Sequence, residues 1–151
     1  MNVVIMGCGR TGASVAARLS LEGHAVAIID SQESAFRRLP ASFQGRRIVG
    51  SGMDQRVLEN AGVRSADAFM ALTQGDNRNL FAGQVALHIF GIQNVVARQN
   101  DPFRGEIFSR LGLRTFSPTV IGADMAYRAV MGSPPVVERG SDPVPRPDSS
   151  S

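Results

Sequence analysis

Short apolar runs alternate with amphipathic stretches of helical length along most of the chain. The runs are rich in Val, Ile and Ala and too short for helices, so they predict strands at 3–6, 25–30, 47–49, 68–72, 94–98 and 115–116. Between them the spacing predicts helices over 11–22, 32–39, 54–61, 77–89 and 104–111, the first with Val15, Ala16 and Leu19 on one face. Gly23, Gly62, Gly91 and Gly112 each follow a helical stretch, where glycine can take the left-handed conformation that ends a helix. Pro118 opens one more helix, from Thr119 to about Met131. This alternation predicts an α/β, Rossmann-like doubly wound fold: a six-stranded, mostly parallel sheet with right-handed crossovers, plus a C-terminal helix. A ligand is expected over the carboxyl ends of the strands.

After Gly132 the pattern stops and Pro134, Pro135, Pro143, Pro145 and Pro147 precede Asp148-Ser149-Ser150-Ser151. The chain therefore divides into a Rossmann-like domain at 1–131 and a Pro- and Ser-rich tail or truncated linker at 132–151, expected to be disordered. With 151 residues and 43% hydrophobic content there is enough chain for one core, and too little for a second, substrate-binding domain.

Charge narrows the partners. All 16 basic residues are Arg, the net charge is +3, and only Arg37-Arg38 and Arg46-Arg47 are adjacent. No basic stripe with interleaved aromatics emerges, so the arginines read as solvated surface and no nucleic-acid partner is expected despite a pI of about 10.4. The single cysteine excludes an internal disulfide or a zinc site of paired cysteines and suits a reducing cytosol. Met1-Asn2 and a short apolar run make neither a signal peptide nor a membrane span, so a cytoplasmic location without direct membrane insertion is expected.

The chemistry concentrates at strand ends. Directly after the first strand comes Gly7-Cys8-Gly9-Arg10-Thr11-Gly12, a Gly-x-Gly-x-x-Gly. Its first glycine permits the tight strand-to-helix turn, the second lets backbone approach a phosphate, and the third lets helix and strand pack closely. The helix N-terminus adds unpaired N–H groups and a positive dipole end. Asp30 closes the second strand, 18 residues after Gly12, where an acid takes ribose hydroxyls and repels a 2′-phosphate. NAD(H) or ATP/ADP fits this turn; NADP does not. Arg10 can fold over a pyrophosphate. Later strand ends supply Gly50-Ser51-Gly52-Met53, where glycine lets backbone lie along an adenine face, then Thr73-Gln74-Gly75 beside ribose and phosphates, and Arg98 within reach of a phosphate. Cys8 reads as a buried small hydrophobe, and His24 and His88 as structural, so no metal site is expected. There is no marked nucleophile and base, so no catalytic residue is assigned.

The set Gly7-x-Gly9-Arg10-x-Gly12, Asp30, Gly50-Ser51-Gly52, Leu58, Ala61-Gly62, Ala66-Asp67, Thr73 with Asp76 and Asn79, Gln84-Val85-Ala86, Ala97-Arg98 and Pro118 closely resembles the N-terminal nucleotide-binding (RCK, or TrkA-N) domain of regulator-of-K⁺-conductance proteins. That group includes the cytosolic TrkA and KtrA subunits of potassium uptake systems. The resemblance runs from Asn2 to about Met131 and implies a domain that binds NAD(H), ATP or ADP, forms homodimers or larger rings, and gates a membrane K⁺-translocating subunit from the cytosolic face. By that resemblance Gly7, Gly9, Arg10 and Gly12 hold phosphates, Asp30 the adenosine ribose, Ser51 to Met53 the adenine, and Thr73, Gln74, Asn79 and Arg98 the rest. Two departures stand out: Ser51 occupies a position where the family commonly has Asp or Asn, and Thr119 one where some ATP-responsive members carry an acid. The usual C-terminal ligand-sensing subdomain is absent from these residues, which implies a fragment or a partner supplying it. Alternatives are the cofactor domain of an NAD-dependent dehydrogenase, and a nucleotide sensor for a target outside transport.

Overall fold

The computed structural model describes residues 1–133. In chain order it comprises β1 (Asn2–Met6), α1 (Arg10–Leu21), β2 (Ala25–Asp30), a 3₁₀ helix (Glu33–Arg38), β3 (Arg46–Val49), α2 (Gln55–Asn60), a 3₁₀ turn (Val63–Ser65), β4 (Ala68–Ala71), α3 (Asp76–His88), β5 (Asn94–Arg98), α4 (Pro102–Arg110), β6 (Arg114–Phe116) and α5 (Pro118–Val130). The strands form one parallel sheet in the order β3-β2-β1-β4-β5-β6. From β1 the chain first builds outward through β2 and β3, then crosses back to lay β4, β5 and β6 on the other side. The order therefore reverses between β1 and β4, which opens a crevice at their carboxyl ends.

Both faces of the sheet are covered. Val3 and Ile5 of β1, with Val26 and Ile28 of β2, enter one core layer against Ala13 and Ala16 of α1. Their neighbours Val4, Met6, Ala27 and Ile29 enter the other, against Leu58, Leu80 and Ala86. Double burial is why these strands read as unbroken apolar runs rather than alternating ones. Gly23, Gly62, Gly91 and Gly112 have φ of 82°, 86°, 72° and 85°, the left-handed conformation expected at those helix ends.

Most boundaries fall within one residue of the sequence reading, and three differences have an evident local cause. The stretch over 32–39 is a 3₁₀ helix rather than an α-helix. Its last residue precedes Pro40, whose ring disfavours the α region for Leu39, and Leu39 is extended with ψ 138°. The fourth α-helix starts at Pro102 instead of 104, because the Asp101 carboxylate accepts the Phe103 N–H at 3.0 Å and proline fits the first helical position. Asp54 is likewise a cap, accepting from Arg56 N–H at 2.9 Å, so α2 has only six residues.

Ser117 caps α5, and Arg128 pairs with Asp124 one turn earlier at 2.7 Å. No residue of α5 is buried, so this largely apolar helix does not pack back on its own sheet. The expected tail at 132–151 falls outside the described residues from 134 onward. No described helix is long and apolar enough to cross a membrane.

Candidate functional site

A cleft of about 640 Å³ lies over the carboxyl ends of the strands, bounded by the glycine turn, Asp30, the 50–53 loop, Thr73, Gln74, Arg98 and Pro118. On the β1–β2 side the turn is set by close backbone packing. Gly7 has φ 104° and donates its N–H to Ile29 O at 2.8 Å; a Cβ there would stand 2.8 Å from Thr73 N, so only glycine lets the turn press against the end of β4. A Cβ on Gly12 would stand 1.9 Å from Gly7 O, so this glycine sets how closely α1 approaches the turn. Gly9 has nothing within 4 Å of its would-be Cβ and borders the cleft, which leaves its backbone open to a ligand.

Asp30 braces the same turn. One carboxylate oxygen accepts Cys8 N–H at 2.8 Å and the other accepts Gln32 N–H at 2.9 Å. Each oxygen keeps a second lone pair, enough for a pair of ribose hydroxyls. Cys8 is buried beneath, and its thiol is pushed up to about 11, first by burial and then by the Asp30 carboxylate. In the 50–53 loop, Ser51 Oγ accepts Met53 N–H at 3.2 Å and the Met53 side chain stands exposed at the rim.

The β4–β5 side is held by side-chain bonds. Asn79, fully buried, accepts at Oδ1 from Thr73 N–H (2.9 Å) and Thr73 Oγ1 (2.7 Å), and donates from Nδ2 to Thr73 O (2.8 Å) and Arg98 O (3.0 Å). Asp76 does the same for the loop after β5: its oxygens accept from Gln99 Nε2, Asn100 N, Asn100 Nδ2 and Asp101 N at 3.0–3.2 Å. Ser117 Oγ donates to Asn100 O, which ties the start of α5 to that loop.

Electrostatically the cleft is made for an anion. Arg10, Arg38, Arg78 and Arg98 all line it. Among the described residues none of the four has a carboxylate within 4.0 Å; elsewhere Arg18, Arg56, Arg64, Arg104, Arg110 and Arg128 form ion pairs, while Arg37, Arg46, Arg47 and Arg114 do not. The Nε of Arg98 is buried and without a partner. Helices α2, α4 and α5 have side-chain caps, while α1 and α3, whose first turns border the cleft, begin at Gly9 and Gly75 with none. Their first-turn N–H groups and positive dipole ends therefore stay available.

Gly7, Gly9, Arg10, Thr11, Asp30, Ser51, Gly52, Met53, Thr73, Gln74 and Arg98 are thus brought together. Gly12, Gly75 and Asn79 are not on the lining: Gly12 packs helix to turn, Gly75 starts α3, and Asn79 lies behind the wall because all its amide bonds point into the protein. Sequence reasoning missed Arg38 and Arg78 by treating arginines outside the strand ends as solvated surface. A usable signal for Arg78 was its place in the first turn of a helix that starts at a glycine, the turn that Arg10 occupies after Gly9.

Comparison with known proteins places these features in a family. Residues 3–118 match the model of the TrkA-N domain. The chain is 47% identical over 133 residues to the Trk system potassium uptake protein TrkA of Streptomyces coelicolor, covering 88% of this chain and 60% of that protein. It is 38% identical over 137 residues to the TrkA homologue of Pyrococcus horikoshii, with 87% and 60% covered. The chain thus spans about 60% of the length of these relatives. Among solved structures, the TrkA-N domain of the inner membrane protein ybaL from Escherichia coli superposes with a TM-score of 0.75 at 12% identity, over 85% of this chain and 96% of that one. GsuK, solved bound to ADP, superposes with a TM-score of 0.69 at 19% identity, over 86% and 35%. The GsuK channel bound to NAD gives 0.66 at 18%, over 84% and 23%. At these identities the superpositions speak for the fold alone.

Proposed function

The chain belongs to the TrkA-N domain family, and from that premise we propose that it binds an adenine nucleotide, NAD(H) or ATP/ADP, and regulates a membrane K⁺ transporter from the cytosolic side. The observation that carries the reading is the cleft itself, with an acid at the end of β2, four arginines without a carboxylate partner among the described residues, and uncapped helix starts. Asp30 takes the ribose of the adenosine and repels a 2′-phosphate, which excludes NADP. Gly7, Gly9, Arg10 and Thr11 hold phosphate, Ser51 to Met53 flank the adenine, and Thr73, Gln74 and Arg98 border the rest. The role is regulatory rather than enzymatic, in keeping with relatives named as potassium uptake proteins. A thermal-shift series with NAD, NADH, ADP, ATP and NADP tests the ligand: stabilisation by the first four is expected, and NADP stabilising as well as NAD overturns the Asp30 assignment.

The partner is a second copy first and a K⁺-translocating membrane protein next. Helix α5 leaves Val120, Ile121, Met125, Tyr127 and Val130 exposed and begins at Pro118 on the cleft rim, so a dimer through α5 couples nucleotide sites to a shared interface. Sedimentation of wild type and of a Met125→Glu, Ala129→Glu variant is expected to show a dimer and a monomer; a wild-type monomer overturns this arrangement.

A further inference from the structure

We propose that the outer edge of β3 is a docking site for an extended, acidic peptide segment of a partner protein, which adds to the sheet as a further strand. The proposal stands on the sheet edge and does not depend on nucleotide binding in the cleft.

β3 ends the sheet, and among the described residues no strand lies beyond it. Its ladder with β2 fixes which backbone groups are free. Gly50 donates its N–H to Asp30 O at 2.9 Å, and residues alternate direction along a strand, so Arg46, Ile48 and Gly50 turn their N–H and C=O groups toward β2. Arg47 and Val49 turn theirs outward. Beside this edge runs a groove of about 690 Å³, lined by Glu33, Ser34, Phe36 and Arg37 of the 3₁₀ helix and by Arg47 and Val49. The two residues with outward backbone groups are thus the two strand residues that face the groove. Val49 is 56% exposed there, while Ile48 between them is buried on the other face.

Charge chooses the occupant. Arg37, Arg46 and Arg47 gather at this edge without a carboxylate partner among the described residues, and Glu33 is the one acid on the groove. Arg47 is held over the Phe43 ring at 5.1 Å and donates to Phe43 O, and Arg46 donates to Asn60 O at 2.8 Å. These bonds fix the two guanidinium groups at the edge and leave donors for a carboxylate. A second copy fits poorly, because two β3 edges paired about a twofold axis run antiparallel and bring arginine against arginine. The α5 interface proposed above lies beyond β6, at the opposite end of the sheet, and leaves this edge open. An acidic strand meets no such repulsion. Its backbone pairs with Arg47 and Val49, a carboxylate reaches Arg37 and Arg47, and an apolar side chain two residues away covers Val49 and Phe36.

The probe is the acetylated, amidated peptide Thr-Glu-Thr-Val-Thr-Glu-Thr-Val, which sets acids and apolar side chains two apart on one face and neutral threonine on the other. Anisotropy of the labelled peptide follows binding to the full chain, and amide hydrogen exchange locates it. Saturable binding below about 1 mM is expected, with the same peptide carrying Gln for Glu about tenfold or more weaker, and one carrying Pro for a central Thr not binding. Arg37 is exposed and its side chain makes no hydrogen bond or ion pair among the described residues, so Arg37→Glu leaves the fold intact. That variant should lose about tenfold for the acidic peptide and gain affinity for a version with Lys in place of Glu. On binding, the Arg47 and Val49 amides should become protected, whereas Ile48, already bonded to β2, should not change. No binding at about 1 mM, equal affinity for the Glu and Gln peptides, or binding that leaves Arg47 and Val49 unprotected overturns the proposal. So does protection of those two amides in the protein alone, which makes a second copy or residues 134–151 the occupant.

Discussion

The two sides of the cleft reach the same strand-end level by different means. On the β1–β2 side the geometry is set by backbone: glycines pressed against carbonyls and amides, and one carboxylate that braces the turn while keeping lone pairs for a ligand. On the β4–β5 side it is set by side chains, with Asn79 and Asp76 spending their whole hydrogen-bonding capacity on loop atoms 19 to 25 residues away, Thr73 apart. The first side therefore offers a ligand N–H groups, an acid and the guanidinium groups of Arg10 and Arg38. The second offers it Arg78, Arg98 and the uncapped start of α3, because Asn79 and Asp76 are committed to holding the wall.

The largest way to break that contrast is Asn79→Leu. It strands the Thr73 N–H and the Thr73 and Arg98 carbonyls in a buried place, and a loss of about 3–5 kcal/mol is expected in urea unfolding. Asn79→Asp should fare no better, since a carboxylate cannot donate to those two carbonyls. A loss under about 1 kcal/mol for Asn79→Leu would mean that the β4–β5 wall stands without its side-chain network.

Next in size is Asp30→Ala. Ligand at a hundred times its dissociation constant adds about 2.7 kcal/mol to wild type, and the variant should lose most of it in a thermal-shift titration with ADP. Without ligand the variant should also be less stable, because the Cys8 and Gln32 N–H groups lose their acceptor. A variant weakened only in the ligand-free state would make Asp30 a brace and nothing more.

Legibility divides along the same line. The β1–β2 side is local in sequence: glycines at 7, 9 and 12 and an acid closing the next apolar run carry their spacing with them, and the structure puts Gly7, Gly9 and Asp30 on the cleft. The strands and most helix ends were readable for a related reason, since double burial makes a strand uniformly apolar and a left-handed glycine ends a helix where it stands. The other side was not readable in the same way. That Asn79 turns inward depends on where β5 lies relative to α3, a tertiary fact with no trace in the spacing around residue 79. Arg38 and Arg78 were hidden because an arginine in a polar stretch looks the same whether it faces solvent or a cleft.

The smallest effect tests whether the braced turn is as tightly coupled as its bonds imply. Cys8 ionises near 9.0 in an unfolded chain and near 11 here, chiefly through burial and next through the Asp30 charge. Between those values the unfolded state binds fewer protons than the folded one, so stability falls as pH rises, by up to about 2 kcal/mol, with no contribution below the lower value. The background is clean, because the chain has no lysine and a single tyrosine, Tyr127, on an exposed face of α5. Urea midpoints measured from pH 8 to pH 11 should therefore drift downward in wild type and stay flatter in Cys8→Ala. Asp30→Asn should show a smaller drift than wild type, since it removes the second cause of the raised value and leaves the first. If wild type and Cys8→Ala follow one curve through this range, the thiol is not held neutral beneath the turn, and the backbone-built side of the cleft is looser than the network-built side facing it.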